Sequence, residues 1–162
     1  MSGRDPAGAG RDPAPEAPLA RYASAVADLE SAVAGITDAE LDATPVDGGW
    51  TPRMVVHHVA DSESMAYIRL RRLLAEDAPV IAGYDEPEWA RRLHYDRPIA
   101  YSLAVVAAVR AASLELLLAL TPDEWERAGT HSEAGAYSVR RWLELYAEHT
   151  HEHADQIRHA RG

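Results

Sequence analysis

The stretch that decides the fold is SVRRWLELYAEHTHEHADQIRHARG, residues 138–162. Serine is a favourable N-cap and no proline follows it, so one long helix is predicted from Val139 to about Arg161. The apolar stripe of this helix advances in steps of three or four residues and comprises Trp142, Tyr146, His149, His153 and Ile157. Two histidines therefore continue the apolar seam, and their spacing of four residues places both imidazoles on one face.

This histidine pair has two interpretations. Imidazoles one helical turn apart can bind one metal ion, with each ring nitrogen about 2.0–2.1 Å from it. The same helix also contains His151 and His159, so a polar, histidine-rich helix end would explain the pair without a metal. The residues of this helix alone leave both interpretations open.

A second helix supplies a further inward histidine. It is predicted to begin at Pro52, with Thr51 as N-cap, and to end before the turn at 77–79. The face predicted to point inward carries Val55, His58, Val59, Ser62 and Met65. His57 points about 100° away from that face and is predicted to be partly exposed. A lone inward histidine is usually a satisfied core residue, but three unpaired imidazoles would be costly to bury unless a divalent cation bound them.

Two more long helices are predicted by the same periodicity, over 19–36 and 99–120. The second of these is the most apolar part of the chain, which favours a central position. Short accessory helices are predicted in the connections: after Thr37, within 79–98 and after Thr121. No segment favours a strand, and 129–137 is predicted to be a loop. The sequence therefore predicts an all-α fold, a four-helix bundle with short accessory helices in its connections.

The composition of the chain predicts where the folded domain begins and in which cellular compartment the protein lies. Residues 1–17 contain Arg-Asp-Pro-Ala twice and are predicted to be a disordered leader, because they cannot bury enough apolar surface to offset their ordering entropy. Residues 18–162 are long enough for one bundle domain. The leader lacks the apolar core of a secretory signal, and no apolar run of about 18 residues is free of charges. We therefore expect a cytoplasmic protein without a membrane span.

The chain lacks cysteine and lysine, which excludes several kinds of catalytic and metal site. The chain has no cysteine, which excludes disulfides, a thiol nucleophile, iron–sulfur ligation and zinc sites made with sulfur. All 16 basic residues are arginine, which excludes a lysine Schiff base. The net charge of −10 argues against nucleic acid as a partner, since phosphate contacts require a basic face. The eight histidines therefore carry most of the chemical information.

Two motifs resemble those of the DinB/YfiT-like superfamily. The first is GWTPRMVVHHVADS at 49–62, and the second is YAEHTHEHADQI at 146–157. The segments YIRL at 67–70 and YDEPEWA at 84–90 are particularly similar to the YfiT branch. The resemblance covers about residues 19–160, and its specificity comes from the order and spacing of the motifs together.

The resemblance implies a four-helix bundle that holds one divalent metal ion on three histidines and often assembles as a homodimer. By motif position the metal ligands are His58, His149 and His153, and His57 is the neighbouring non-ligand. Three histidines suit zinc, nickel, iron or copper, and zinc and nickel are the metals expected first. Members of the family are described as metal-dependent hydrolases, and the YfiT branch includes transferases that join bacillithiol or mycothiol to an electrophile.

Three neutral histidines would leave the ion its charge and an open position, as in catalytic sites. Such an ion can lower the pKa of bound water to about 7 or stabilise a thiolate, so the ligand set itself does not separate a hydrolase from a thiol transferase. From the resemblance we expect a transferase that joins a low-molecular-weight thiol cosubstrate to a small electrophile. A metal-dependent hydrolase and a non-catalytic metal-binding bundle are the alternatives.

Three further residues are candidates for catalysis. Arg69 follows His58 by 11 positions, about 1100° around the helix, and could receive the carboxylate of a cosubstrate; pairing with an acid at a dimer seam or helix end is the alternative. Asp61 lies three residues after His58 and could orient its ring, although a solvated carboxylate is equally compatible with this position. His131, in the predicted loop, could approach the open metal face or simply be exposed.

Overall fold

Residues 12–46 and 48–162 are described in the structure, a computed structural model. Four long helices dominate it: α1 (Glu16–Val33), α3 (Pro52–Ala75), α5 (Ala100–Leu118) and α7 (Val139–Arg161). The predicted caps of α3 and α7 are present, because the side chains of Thr51 and Ser138 accept hydrogen bonds from the backbone of the first turn that follows each. The predicted all-α four-helix bundle is confirmed.

The first helix begins inside the segment predicted to be a leader. Helix α1 starts at Glu16, before the predicted domain boundary at residue 18, and Leu19 and Tyr22 are its first buried side chains. The part of the predicted leader at 1–11 lies outside the described residues.

Short helices occupy the connections, as predicted: α2 (Asp38–Leu41), α4 (Glu86–Arg92) and α6 (Pro122–Trp125). A capping box begins α2, in which Thr37 accepts from the backbone of Glu40 while the Glu40 carboxylate accepts from the Thr37 backbone. Asp85 caps α4, and Thr121 forms a second capping box with Glu124 at α6. These caps fix the starts of segments that are too short to be stable helices alone.

A small sheet was not predicted. Its strands are β1 (Val80–Ile81), β2 (Ala128–His131) and β3 (Gly135–Ser138), in the order β1-β2-β3, with the first pair parallel and the second antiparallel. The prediction of a loop over 129–137 is therefore wrong. Runs of two to four residues are too short for alternation to be recognised, and the pairing of β1 with β2 joins segments far apart in the chain. The sheet buries Ile81 and Tyr137.

Helix α7 packs against α1 and α3, and α5 packs chiefly against α3. The apolar core is divided into two clusters along these helices. On α7 one cluster ends at Ala147 and the other begins at Ala154; on α3 they are separated by the segment 61–65. The polar residues between the two clusters, on both helices, therefore face one another inside the bundle.

Helix α5 is not the central helix that its apolar composition predicted. Its inward face carries Ser102, Val106, Arg110, Ser113 and Leu117. Its exposed residues after Ala100 form a stripe, which we call the outer stripe: Tyr101, Ala104, Val105, Ala108, Ala111, Glu115 and Leu118. A helix that is apolar all round gives no periodicity from which its inward face can be predicted, and here Arg110 and two serines point inward while Glu115 is exposed.

By length and composition alone, α5 is the one described helix that could cross a membrane. Only 28% of its most apolar window is buried inside the protein. Its inward face nevertheless bonds to the bundle, because Arg110 pairs with Glu63 and Ser102 bonds to His57, both on α3. These bonds fix α5 as one of the four helices of the bundle.

Candidate metal centre

The three predicted histidines come together in the gap between the two core clusters. His58 lies on α3, and His149 and His153 lie one turn apart on α7; the three offer ligand nitrogens that all lie within 4.8 Å of one another. The ring centroids are 4.8 Å apart for His58 and His153, 5.6 Å for His58 and His149, and 4.6 Å for His149 and His153. Side chains from two helices thus converge on one point.

The charge state of these imidazoles suits metal binding. Burial, together with the two neighbouring imidazoles, lowers the pKa of His58 to about 3. Burial and the neighbouring His149 lower the pKa of His153 to about 4. Both rings are therefore neutral at pH 7, and each has a lone pair available for a cation.

An orphaned nitrogen shows that the residues present fit a divalent cation. Nδ1 of His58 is buried and has no hydrogen-bond partner among the described residues. Leaving buried polar atoms unpaired is costly, and a cation bound by the three rings would reduce that cost. A neutral three-imidazole donor set is one that zinc and nickel both accept.

Neighbouring side chains hold two of the rings. Nδ1–H of His153 donates to Oε1 of Gln156 at 2.8 Å, which leaves Nε2 as the free ligand nitrogen. The ring of Trp50 packs edge-on against His58, with centroids 4.8 Å apart. The sequence alone does not indicate this contact, because it depends on how the loop before α3 folds back.

A buried carboxylate supports the third ring, and the sequence analysis missed it. Oε1 of Glu63, which is 1% exposed, lies 3.5 Å from Nδ1 of His149. The same oxygen accepts from Nη1 of Arg110 at 2.6 Å and from Oγ1 of Thr150 at 2.8 Å. Burial opposes ionisation of Glu63, but interactions with His149 and Arg110 outweigh it and lower the pKa of the carboxyl.

Glu63, and not Asp61, is the carboxylate that lies beside a ligand imidazole. A carboxylate beside a ligand imidazole fixes the orientation and tautomer of the ring. Asp61 instead accepts a hydrogen bond from Oη of Tyr95 at 2.6 Å, and Nδ1 of His58 has no partner among the described residues. The structure thus places Asp61 against Tyr95, not against a ligand ring. The sequence did contain one clue to the buried pair, because Arg110 interrupts the most apolar run of the chain.

His57 is fully buried, so the prediction that it is partly exposed is wrong. Its Nε2–H donates to the backbone oxygen of Arg97 at 2.8 Å, and its Nδ1 accepts from the hydroxyl of Ser102 at 2.7 Å. Helix α5 and the connection before it cover this side of α3, which the periodicity of α3 alone could not show. His57 therefore ties α3 to α5 and does not join the metal centre.

A cavity of about 330 Å³ adjoins the metal centre through His149. Its wall includes two of the predicted catalytic candidates, Arg69 and His131, together with Tyr84, Tyr137 and Tyr146. His131 lies on β2, where its ring packs 5.4 Å from that of Tyr137. Volumes of this size fall in the range of small-molecule sites.

Comparison with known proteins agrees with this architecture. The sequence profile of the DinB superfamily matches residues 21–157. A proposed metal-dependent hydrolase of Oceanobacillus iheyensis is 40% identical over 129 residues, which cover 80% of this chain and 75% of the relative. YfiT of Bacillus subtilis, also named as a proposed metal-dependent hydrolase, is 36% identical over 133 residues, with 81% of this chain and 75% of YfiT covered.

A solved structure of YfiT from Bacillus subtilis superimposes with a TM-score of 0.84 at 33% sequence identity. The match covers 90% of this chain and 84% of that one. YfiT is described there as a probable metal-dependent hydrolase with an unusual four-helix bundle topology. The similarity therefore extends through the whole bundle, including the helices that carry the three histidines.

Proposed function

Because this chain belongs to the DinB superfamily, we propose that it is a metal-dependent enzyme whose divalent cation is held by His58, His149 and His153. The observation that carries the proposal is the convergence of three imidazoles beside a cavity that a small molecule can enter. A purely structural ion would be sealed inside the core by a fourth protein ligand. Here the cavity reaches the ligand His149, which favours an enzyme over a non-catalytic metal-binding bundle.

The side chains around the site have separable roles in this proposal. When bound, the cation supplies Lewis acidity that makes a thiol or water nucleophilic near neutral pH. Gln156 and Glu63 orient the ligand rings of His153 and His149, and Trp50 covers His58. Zinc and nickel remain the metals that we expect.

The reaction that we propose is transfer of a low-molecular-weight thiol to a small electrophile. The chain has no cysteine, so the sulfur must come from a cosubstrate such as bacillithiol or mycothiol. The sulfur–carbon bond forms as the bond to the leaving group breaks, and the thiol proton passes to solvent. The names of the relatives favour a second candidate, hydrolysis, in which water takes the place of the thiol.

One experiment tests the metal site and the reaction together. The metal content of the purified protein is measured, and conjugation of monochlorobimane is assayed with bacillithiol and with mycothiol, the sulfur displacing chloride. His58→Ala, His149→Ala and His153→Ala should each lose bound metal and conjugation rate together. The matched control is His159→Ala, an exposed histidine on the same helix, which should retain both. Conjugation that survives removal of the metal would contradict the proposal.

We also propose that the protein is a homodimer in which the outer stripe of α5 packs against its copy. The stripe is apolar or small except for Glu115, so two copies would meet there with little repulsion despite the net charge of −10. Alanines at three of its positions allow close approach of two helices. A cytoplasmic location, and the absence of nucleic acid and membrane as partners, stay predictions of the sequence analysis.

A further inference from the structure

Three arginines are buried in the described part of the chain, and they differ in their counter-ions. Arg53 pairs with Asp42 at 2.7 Å and with Asp38 at 3.3 Å. Arg110 pairs with Glu63 at 2.6 Å. Arg69, which is 9% exposed, has no ion pair with any carboxylate among the described residues. A buried cation without a counter-ion is costly, so its persistence requires a reason.

The protein satisfies only part of the Arg69 guanidinium. Nη1 donates to the hydroxyl of Tyr146 at 3.0 Å, and Nη2 donates to the backbone oxygen of Ala82 at 2.9 Å. Nε is buried without a hydrogen-bond partner among the described residues. Both acceptors are neutral. They satisfy two N–H donors but do not compensate the positive charge of the guanidinium. An arginine carries five N–H donors, and donors therefore remain for a ligand.

A second unsatisfied group lies beside this guanidinium. The Arg69 guanidinium carbon is 5.8 Å from the ring centroid of Tyr84, and the buried hydroxyl of Tyr84 has no partner among the described residues. Burial raises the pKa of Tyr84 to about 12, so this hydroxyl keeps its proton at neutral pH and can donate to an anion. Arg69, Tyr84 and Tyr146 all line the cavity of about 330 Å³.

We propose that Arg69, Tyr84 and Tyr146 form a subsite for a single carboxylate group of the substrate. Tyr146 places the subsite beside the metal centre, because its hydroxyl bonds Arg69 while its ring packs 5.7 Å from that of His149. A small molecule held at Arg69 can therefore direct its other end to the three histidines. The reaction of the other end of the molecule at the three histidines rests on the proposed function. The binding of the carboxylate does not, because it is inferred from the uncompensated charge of Arg69.

The surroundings of Arg69 favour one carboxylate group over a phosphate dianion at the guanidinium. A planar carboxylate matches the forked donors of a guanidinium. Three further residues of the cavity wall are glutamates that form no ion pair with described residues: Glu86, Glu133 and Glu152. Their charges disfavour a doubly charged phosphate group at Arg69. The buried guanidinium of Arg69, with acidic side chains around it, is therefore complementary to a group with a single negative charge.

The test compares two thiols that differ only in charge. Dissociation constants for 3-mercaptopropionate and for its neutral amide are measured from the thiolate-to-metal absorption of the Ni²⁺-loaded protein. Since hydrogen bonds to charged groups contribute about 1.5–3 kcal/mol, we expect the acid to bind about 10–100-fold more tightly. Arg69→Gln should abolish this preference and leave the affinity for the amide unchanged. Arg72→Gln, on the same helix but paired with Glu76, should preserve the preference.

Other measurements keep the subsite testable if Arg69→Gln does not fold. Tyr84→Phe retains the arginine and should reduce the preference several-fold, and Arg69→Lys should reduce it because the fork is lost. In the metal-free protein, propionate should shift NMR resonances of residues around Arg69, and inorganic phosphate should bind more weakly. Equal affinities for acid and amide in the wild type, or tighter binding of phosphate than of propionate, would overturn the subsite. If neither thiol gives the absorption band while propionate still binds, the proposed thiol chemistry fails and the subsite stands.

Discussion

Two buried guanidiniums bond opposite ends of the same tyrosine. Arg110 donates to the backbone oxygen of Tyr146 at 3.2 Å, and Arg69 donates to the Tyr146 hydroxyl at 3.0 Å. The first also has a carboxylate partner, Glu63, and lies 3.7 Å from the ring centroid of Tyr22. The second has neutral partners only. The charge of Arg110 is therefore balanced within the core, whereas the charge of Arg69 would be balanced only by a bound ligand.

The difference separates residues that hold the bundle from residues that serve its chemistry. The pair of Arg110 and Glu63 joins α5 to α3, and Arg110 also reaches α1 through the backbone oxygen of Tyr22 at 2.8 Å. Arg69 joins α3 to the segment before α4, through Ala82. Arg110 also lines a cavity, of about 240 Å³, but its charge is balanced by Glu63. Arg69 lines the cavity of about 330 Å³ and forms no ion pair with described residues.

The largest expected effect concerns the stability of the ligand-free protein. Arg110→Met should lower the free energy of unfolding by about 3–5 kcal/mol, because it leaves the buried carboxylate of Glu63 without its partner. Arg69→Met should change it by less than about 1 kcal/mol, because removing an uncompensated charge offsets the lost hydrogen bonds. Urea denaturation of both variants measures the difference. Similar losses in the two variants would show that Arg69 is as structural as Arg110.

The second prediction extends the comparison to the metal centre. Glu63→Gln should lower the affinity for Zn²⁺ about 10–100-fold, because the neutral amide holds the Nδ1 proton of His149 less strongly. Competition with a chromophoric chelator, under conditions where each protein is folded, measures the constant. Glu144→Gln, an exposed position on α7, is the matched control and should leave the affinity unchanged. An unchanged affinity in Glu63→Gln would confine Glu63 to its structural role.

The parts of the fold that depend on one helix at a time could be predicted from the sequence. The starts of α3 and α7 followed from Thr51 and Ser138, and the inward positions of His58, His149 and His153 followed from spacing within each helix. These features arise from local geometry, so the residue pattern within each helix is enough to predict them.

The features that the sequence did not predict depend on contacts between segments that are distant in the chain. His57 is buried because α5 covers it, and the role expected for Asp61 falls to Glu63 because α7 brings His149 beside that carboxylate. The sheet pairs β1 with β2, whose paired residues are 50 positions apart in the sequence, so no local pattern indicates it. The outward orientation of α5 follows from the packing of Arg110, since the helix is nearly uniform in hydropathy around its circumference.

The smallest expected effect on the fold concerns the other side of the helix that carries Arg110. Val105 is 40% exposed in the outer stripe, and its neighbour Val106 is 1% exposed and faces the bundle. Val105→Glu should change the free energy of unfolding of the isolated subunit by no more than about 0.5 kcal/mol, as is usual at surface positions. Val106→Glu should prevent folding, because it buries an unpaired charge.

The same pair of variants tests the homodimer that we propose. Sedimentation velocity should show a dimer for the wild type and a folded monomer for Val105→Glu, since a charge at the centre of the outer stripe would be desolvated twice in a symmetric contact. Tyr101→Ser, at the end of the stripe, should weaken association less. A wild type that sediments as a monomer, or a Val105→Glu variant that still dimerises, would show that α5 does not form the subunit interface. Because Arg110 on the same helix supports Glu63 beside His149, a dimer through α5 would also connect the assembly of subunits to the metal centre.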